Sequence, residues 1–597
     1  MKYAKKIQNS FVRIQKKTYT WFINLVFLIQ EVLVLKTKNY IFPLTIILAA
    51  IFSTGCVSRY SWQYKVLEND SSEENKILFT TLPGTVKVTE DEFIEKGGDK
   101  TVTIFSAKGE TESEQILLMN PSKNEVTVTI SFTDLTGDIT GNEKPYLSPR
   151  IYETAYVPVN KPTWVSFHKK GNYPDPLIPD SYQFTINPEC SKAVYYTLTT
   201  NENTTPGIYT GEVNIQATYG EKTETINIPV KAKVFDVILP ATSFLKTLFI
   251  FRPETYAGKY YGENWTKERT EKLPLEALEF RITSQVDLPL EEVFIQNSDG
   301  GYEANWKEFD REVEYWMGKG INTFCLSLFD YGRKIPEDPE KRKYYEITME
   351  LTDRHLVEKN WTESFYIYSF DEPLSKDLPG IRDLCRWIHK YGPNLNIIFT
   401  MGFTSQGPQW LEDDIDIWVP HIHQYDEDFY PEQQAKGNQV WIYTCMQTFM
   451  MRYPDNWKID WHGTSHRALG WWLFKYKIDG YLYWGLDTWK VNPWLDARTF
   501  PMTNGDGSMF YPALDGKGPY YPSIRLFIME DGIEDYDLLK LLETKVETTA
   551  LPIDMEEKAL DILSCKAVIK SRDRFSTDDE IYRGIHREIL EILEYDR

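Results

Sequence analysis

A chain of 597 residues exceeds one ordinary domain, so two or three are expected. Its 42% hydrophobic and 15% aromatic content is that of a folded protein; the aromatic excess suits surfaces that stack on sugar rings and equally suits plain cores. A formal net charge of −22 opposes nucleic acid and anionic membrane surfaces as partners.

Residues 1–56 hold eight Lys/Arg and one Glu and read as a targeting region. Lys36 and Lys38 precede an apolar run from Tyr40 to Phe52, which ends in Ser53-Thr54-Gly55-Cys56. A positive flank, a short apolar core and small residues before a cut form a secretory signal. Cys56 directly after Thr-Gly resembles a bacterial lipoprotein signal, so Cys56 is the expected lipidated residue and the envelope the expected location, with membrane contact only through the anchor. Ser53 departs from the Leu usual three positions before that Cys. Residues 1–35 form an extension whose apolar run, Phe22 to Leu35, is broken by Gln30 and Glu31; neither run reaches the ~18–20 apolar residues of a membrane span. The remaining five cysteines show no metal spacing and read as buried free thiols.

From 57 to 240, short alternating segments such as NEVTVTISFT, GEVNIQATYG and ETINIPVKAKVFDV recur with turn signals between them. That pattern predicts an antiparallel β-sandwich. From 241 to 519 the rhythm becomes strand then helix. Strand-like runs at 245–251, 291–296, 322–329, 365–370, 396–403, 415–420, 439–446 and 480–486 alternate with helical patterns at 305–319, 341–359, 380–391 and 464–477. Eight apolar strands alternating with helices predict a (β/α)8 TIM-type barrel. Residues 520–597 read as helices packed on it.

In such a barrel the residues after each strand face one pocket. They are Arg252, Asp330, the pair Asp371-Glu372, His421 and His423, and Asp487 with Trp489. FYIYSF runs straight into Asp371-Glu372-Pro373, and the proline biases Glu372 toward extended backbone. Trp484 is a candidate stacking floor, and Tyr443 a candidate to orient a substrate carbonyl. His421 and His423 share a face of an extended chain. No third or fourth metal ligand accompanies them, so sugar contacts or core hydrogen bonds are expected there. No metal or other cofactor is expected. Arg525 and Asp531 read as an ion pair of the last helices. No phosphate loop or dinucleotide fingerprint is present.

Carboxylates, imidazoles and aromatics around one cavity suit a neutral glycan. Glycoside cleavage usually uses two carboxylates on opposite sides of the bond. Adjacent residues are ~3.8 Å apart at Cα, whereas a retaining pair sits ~5–5.5 Å apart across the sugar. The seventh strand offers no carboxylate in TCMQT. Attack by the sugar's own 2-acetamido oxygen removes the need for one.

Asp371-Glu372 at a strand end, NGDG at 504–507 followed by Tyr511-Pro512, and a helix beginning PSIRL and continuing DGIEDYDLL resemble glycoside hydrolase family 123. The resemblance covers the barrel and its C-terminal helices, and the region before it resembles that family's N-terminal domain. It implies a retaining exo-β-N-acetylgalactosaminidase acting by substrate assistance on terminal β-linked N-acetylgalactosamine of an oligosaccharide or glycolipid. It also implies Glu372 as general acid/base, Asp371 as partner of the acetamido nitrogen, and site roles for Asn504 and Asp506. An acid working near neutral pH is expected to be enclosed beside apolar rings. Two alternatives stand: a glycan-binding lipoprotein without turnover, and a conventional glycosidase using Asp330 or Asp487 as second carboxylate.

Overall fold

A computed structural model describes residues 64–67, 76–97, 100–138, 145–163, 169–298, 300–326, 334–368, 370–401, 408–445, 453–454, 457–500 and 503–595. Cys56 and Asp330 lie outside the described residues. Residues 60–597 form one compact unit. Within it a β-rich N-terminal region precedes an α/β region.

Two large sheets make up most of the described β-rich region, beside a small pairing of Tyr64–Val66 with Ile94–Lys96. Strands β1 (Leu78–Pro83), β3 (Thr111–Asn120), β5 (Arg150–Val159), β6 (Gly171–Pro179) and β8 (Cys190–Thr199) pair antiparallel in the order β6-β5-β8-β3-β1. The second sheet runs β7-β4-β9-β10-β2, from Gln183–Ile186 (β7), Val126–Phe132 (β4), Gly207–Tyr219 (β9), Lys222–Ile238 (β10) and Val102–Lys108 (β2). Among the described pairs of this sheet, β10–β2 is parallel and the others are antiparallel. Alternate residues of both sheets, Ile116, Leu118 and Val194 on one and Val128, Ile215 and Ile228 on the other, bury into a single apolar core. The period-2 pattern in the sequence is therefore the inward face of each strand.

The α/β region is organised around parallel strands. These are β11 (Lys246–Phe249), β12 (Phe324–Cys325), β13 (Phe365–Tyr366), β14 (Ile398–Met401), β15 (Ile417–Pro420), β16 (Gln439–Tyr443) and β17 (Gly480–Tyr483). Neighbours run β11-β17-β16-β15-β14, all parallel. A bridge between Ile367 and Ile397 carries the order on to β13, which pairs with β12. On the other flank Phe249 bridges Ser284. Leu248, Tyr366, Ile398, Ile417, Val419, Trp441, Tyr443 and Leu482 fill the space these strands enclose. Helices α1 (Lys267–Leu278), α2 (Lys307–Lys319), α3 (Pro339–Lys359), α4 (Leu378–Tyr391), α5 (Phe429–Ala435) and α6 (Gly463–Lys475) connect or flank them.

One expected strand is elsewhere. Residues 291–296 were expected to lie beside the first strand, but Phe294–Gln296 pairs antiparallel with Tyr302–Ala304. The reason is local: Asn297 and Gly301 close a turn, with Gly300 at φ +82°, that folds the segment back on itself. The position beside β11 goes to buried Thr283 and Ser284.

Helix α7 (Ile524–Thr548) is buried through most of its length, while α8 (Ile553–Leu563) and α9 (Asp579–Glu594) follow it. It crosses α6 so closely that a Cβ on Gly470 would lie 1.7 Å from the Gly532 carbonyl oxygen. Buried Arg525 donates from Nε and Nη2 to Asp175 of β6, at 2.7 and 2.6 Å, and Tyr511 donates to the same carboxylate. Asp531 instead faces Arg467, so Arg525 and Asp531 each pair with another partner rather than with one another. Among the described residues no helix is long and apolar enough to cross a membrane. Of the described cysteines, Cys385 and Cys565 are buried, whereas Cys190, Cys325 and Cys445 are half-buried.

Candidate active site

The mouth of the parallel strands is built by alternation. Tyr366 points into the enclosed core, and Tyr368, two residues on, packs against the same core, while Phe365 and Ile367 bury outward under the helices. Asp371 and Glu372 then emerge exposed at the rim. Glu372 takes φ +41°, a left-handed backbone uncommon for a non-glycine residue, in place of the extended conformation Pro373 led us to expect. Its amide donates to Thr400 Oγ1 of β14 at 3.1 Å, which fixes the turn.

Thr400 is the hub. Its buried hydroxyl lies 3.3 Å from both the Phe370 carbonyl and Asp371 Oδ1. Tyr368 donates to the same Asp371 oxygen at 3.1 Å. One carboxylate oxygen is thus gripped by two hydroxyls, one from its own strand and one from the next.

Glu372 is held from across the strands. The Tyr443 hydroxyl donates to Glu372 Oε1 and lies 3.1 Å from the Met401 carbonyl. Burial, reinforced by Cys445 and Glu372, pushes the phenol far above its ordinary range, so Tyr443 remains a proton donor at any working pH. With two acceptors for one hydrogen, Tyr443 can serve both forms of Glu372. It donates to the carboxylate, or turns to Met401 and accepts from the protonated acid. Expected enclosure of Glu372 by apolar rings is not found: the residue is exposed because it sits beyond the strand end, with only its carboxylate turned back to the phenol.

The histidines stand behind this contact. His421 is fully buried, packs edge-on to the Tyr443 ring with centroids 5.1 Å apart, and meets the Cys445 main chain through Nε2. Its Nδ1 faces that of His423. Burial holds His421 well below its ordinary pKa; burial and then Arg572 bring His423 down to about 4, so both rings are neutral. Of the two expected uses of His421, sugar contact and core hydrogen bonding, the structure gives the second: it backs Tyr443 and is turned into the core at the end of β15. His423 is half-buried.

Strand β17 supplies Trp484. It follows inward-facing Leu482 by two residues and is half-buried, and its Nε1 donates to Asp506 Oδ1 at 3.2 Å. Tyr483 donates to the same oxygen at 2.6 Å. Gly507, at φ +75°, lets the turn approach the indole; a Cβ there would lie 2.4 Å from the ring. Asp506 is therefore buried behind Trp484. Asn504 is also buried, donating from Nδ2 to Lys161 O, Thr163 Oγ1 and Asp460 Oδ2, so the turn fastens to the β-rich region.

Asp487 and Trp489 depart from expectation. Asp487 is fully buried, accepting from the Arg252 amide at 2.7 Å and the Tyr520 hydroxyl at 3.3 Å, and burial pushes its carboxyl up to about 7. Trp489 is fully buried, donates to the Phe510 carbonyl and packs edge-on against Tyr260 and Tyr520. Both follow the strand but turn into packing under the 510–520 segment. Arg252 caps the short helix Pro253–Tyr256 and is exposed. Tyr368 and Thr400 were missed from sequence. Tyr368 could have been found by alternation from Tyr366, whereas nothing in the sequence marks Thr400.

Strand-end carboxylates, a tyrosine clamp and a half-buried indole around one mouth are the parts of a sugar-cleaving site. Comparison with known proteins gives the same class. The chain overlays on the solved structure of a family 123 glycoside hydrolase from Clostridium perfringens, studied for glycolipid glycan hydrolysis, with a TM-score of 0.61 and 16% identity over 87% of this chain and 97% of that one. The fold is shared. A PapD-like domain of human CEP192 also overlaps, at a TM-score of 0.18 and 10% identity, over 31% of this chain and 98% of that one. No curated protein matches the sequence. The protein is a glycosidase. Residues 283–542, which carry the acid pair, match the family model described as Glycoside hydrolase 123, catalytic domain.

Proposed function

We propose that the protein is a retaining exo-β-N-acetylgalactosaminidase in which the substrate's 2-acetamido oxygen displaces the leaving group. Glu372 protonates the departing oxygen and then deprotonates the incoming water; Asp371 accepts from the acetamido N–H and raises its oxygen's nucleophilicity. The reading rests chiefly on one observation: the two acids are separately held, Asp371 by Tyr368 and Thr400, Glu372 by Tyr443. Separate clamps on adjacent carboxyls suit two roles on one face of a sugar.

On this reading the parallel strands with Ser284 form a (β/α)8 barrel, residues 57–240 a sandwich domain, 241–519 the barrel domain and 520–597 its buttress. Trp484 is the stacking surface, with Arg252, His423 and Asp330 as rim contacts. Fully buried Asp487, with both oxygens hydrogen-bonded, argues against its use as the second carboxylate of a conventional mechanism. A glycolipid or oligosaccharide end is the proposed substrate, met at the envelope by a chain anchored through Cys56. Glu372→Gln tests the central role. Cleavage of a natural β-N-acetylgalactosaminide should fall by at least about 10³-fold, and an unchanged rate would remove Glu372 from the chemistry.

A further inference from the structure

Away from the mouth, strand β3 of the β-rich region meets helices α7 and α9. Glu110 and Glu112 flank the start of β3, and His586 reaches them from α9. His586 Nε2 lies 2.9 Å from Glu110 Oε1 and 3.5 Å from Glu112 Oε1, and one ligand atom from each residue lies within 4.8 Å of the others. Between the two glutamates, the Thr111 amide donates to Glu534 Oε1 at 3.0 Å, which sets the Glu534 carboxyl beside the trio. Asp531 and Glu530 come from the same stretch of α7.

These carboxyls outnumber the guanidinium groups beside them. Glu530 and Glu534 are 2% exposed and Asp531 4%. Yet Glu530 Oε2, Asp531 Oδ1 and Glu534 Oε2 make no hydrogen bond to any described residue. The nearby guanidinium groups are committed elsewhere. Arg467 grips Asp535 at 2.7 and 2.9 Å and only brushes Asp531 at 3.4 Å, and Arg281 Nη2 takes Asp537 at 2.9 Å. Unpartnered carboxylate oxygens this deep are costly unless protonated or ligated.

We propose that Glu110, Glu112 and His586 form a buried divalent-cation site, with Glu534 and Asp531 supplying the surrounding negative field, which fastens the β-rich region to α7 and α9. Two carboxylates with one imidazole suit manganese or zinc better than calcium, whose sites are built from oxygen alone. Binding would require His586 to give up its proton, and the ion would be taken up as the two regions fold together.

The test uses the full chain, purified, stripped by dialysis against a chelator, and reloaded with MnCl2, ZnCl2 or CaCl2. Elemental analysis should find about one manganese or zinc per chain after excess ion is removed, and the stripped protein should melt several degrees lower than the reloaded one. Glu112→Gln and His586→Gln should each weaken binding by at least about tenfold. Failure of all three ions to bind or to raise the melting temperature would overturn the proposal, as would variants that bind as tightly as the parent. Should either variant not fold, manganese-soaked crystals of the parent decide: an anomalous peak among Glu110, Glu112 and His586 supports the site, and its absence there overturns it.

Discussion

The Tyr443 hydroxyl and the Glu372 carboxylate, 71 residues apart in the chain, meet across the mouth of the parallel strands in a direct hydrogen bond. The contact crosses from β16 to the turn after β13, so it depends on the tertiary arrangement of the strands. Tyr443 in turn is backed by buried His421, which makes a neutral imidazole part of the acid's support.

Replacing Tyr443 with Phe removes that donor and leaves the ring in place. A hydrogen bond to a charged group is worth about 1.5–3 kcal/mol, so kcat/KM should fall about 10–100-fold. Steady-state kinetics check this. An unchanged kcat/KM would mean that Tyr443 only packs.

Thr400→Val keeps the shape and deletes the hydroxyl that touches Phe370, Asp371 and Glu372. Activity should fall about tenfold and stability by about 1–2 kcal/mol, with Thr400→Ser restoring most of both. Denaturant melts and hydrolysis rates on the same preparations separate the two effects.

The neutral histidines set an acid limit. His423 has a folded pKa of about 4 against about 6.5 unfolded, and His421 is shifted the same way. Between those values the unfolded chain binds protons the folded chain does not, so stability falls as pH drops from about 6.5 toward about 4. Asp487, raised to about 7 by burial, has the opposite slope, losing stability as pH rises through the same window. Against the parent across that range, His423→Gln should lose less stability toward acid, and Asp487→Asn should lose less stability toward alkali.

Arg525 and Asp175 join α7 to β6 with neither side chain exposed. Arg525→Met strands a buried carboxylate and should cost about 3–5 kcal/mol. Pairing it with Asp175→Asn should recover part of that loss, which chemical denaturation of the two variants measures.

Part of this arrangement is legible in the sequence and part is not. Alternation in 365–370 and the acid pair before Pro373 placed Asp371 and Glu372 at a strand end, and period-2 runs marked the β-rich region. Which way a residue turns after its strand was not legible: Asp487 and Trp489 look like Trp484 in sequence, but only the 510–520 segment, distant in the chain, covers them. Thr400 escaped because a mid-strand threonine is ordinary until its neighbour's carboxylate is known. Asn504 and Asp506 stand out in NGDG, but their partners, Thr163 and Trp484, show that they hold the site up from behind.

The decisive measurement is a paired assay of aryl β-glycosides that differ only at the sugar's second carbon, one 2-acetamido and one 2-hydroxy, with Asp371→Asn beside the parent. The account predicts that the parent cleaves the acetamido substrate at least about 10³-fold faster and that Asp371→Asn loses most of that preference. Equal cleavage of the two sugars by the parent would contradict it, since the nucleophile would then have to come from the protein.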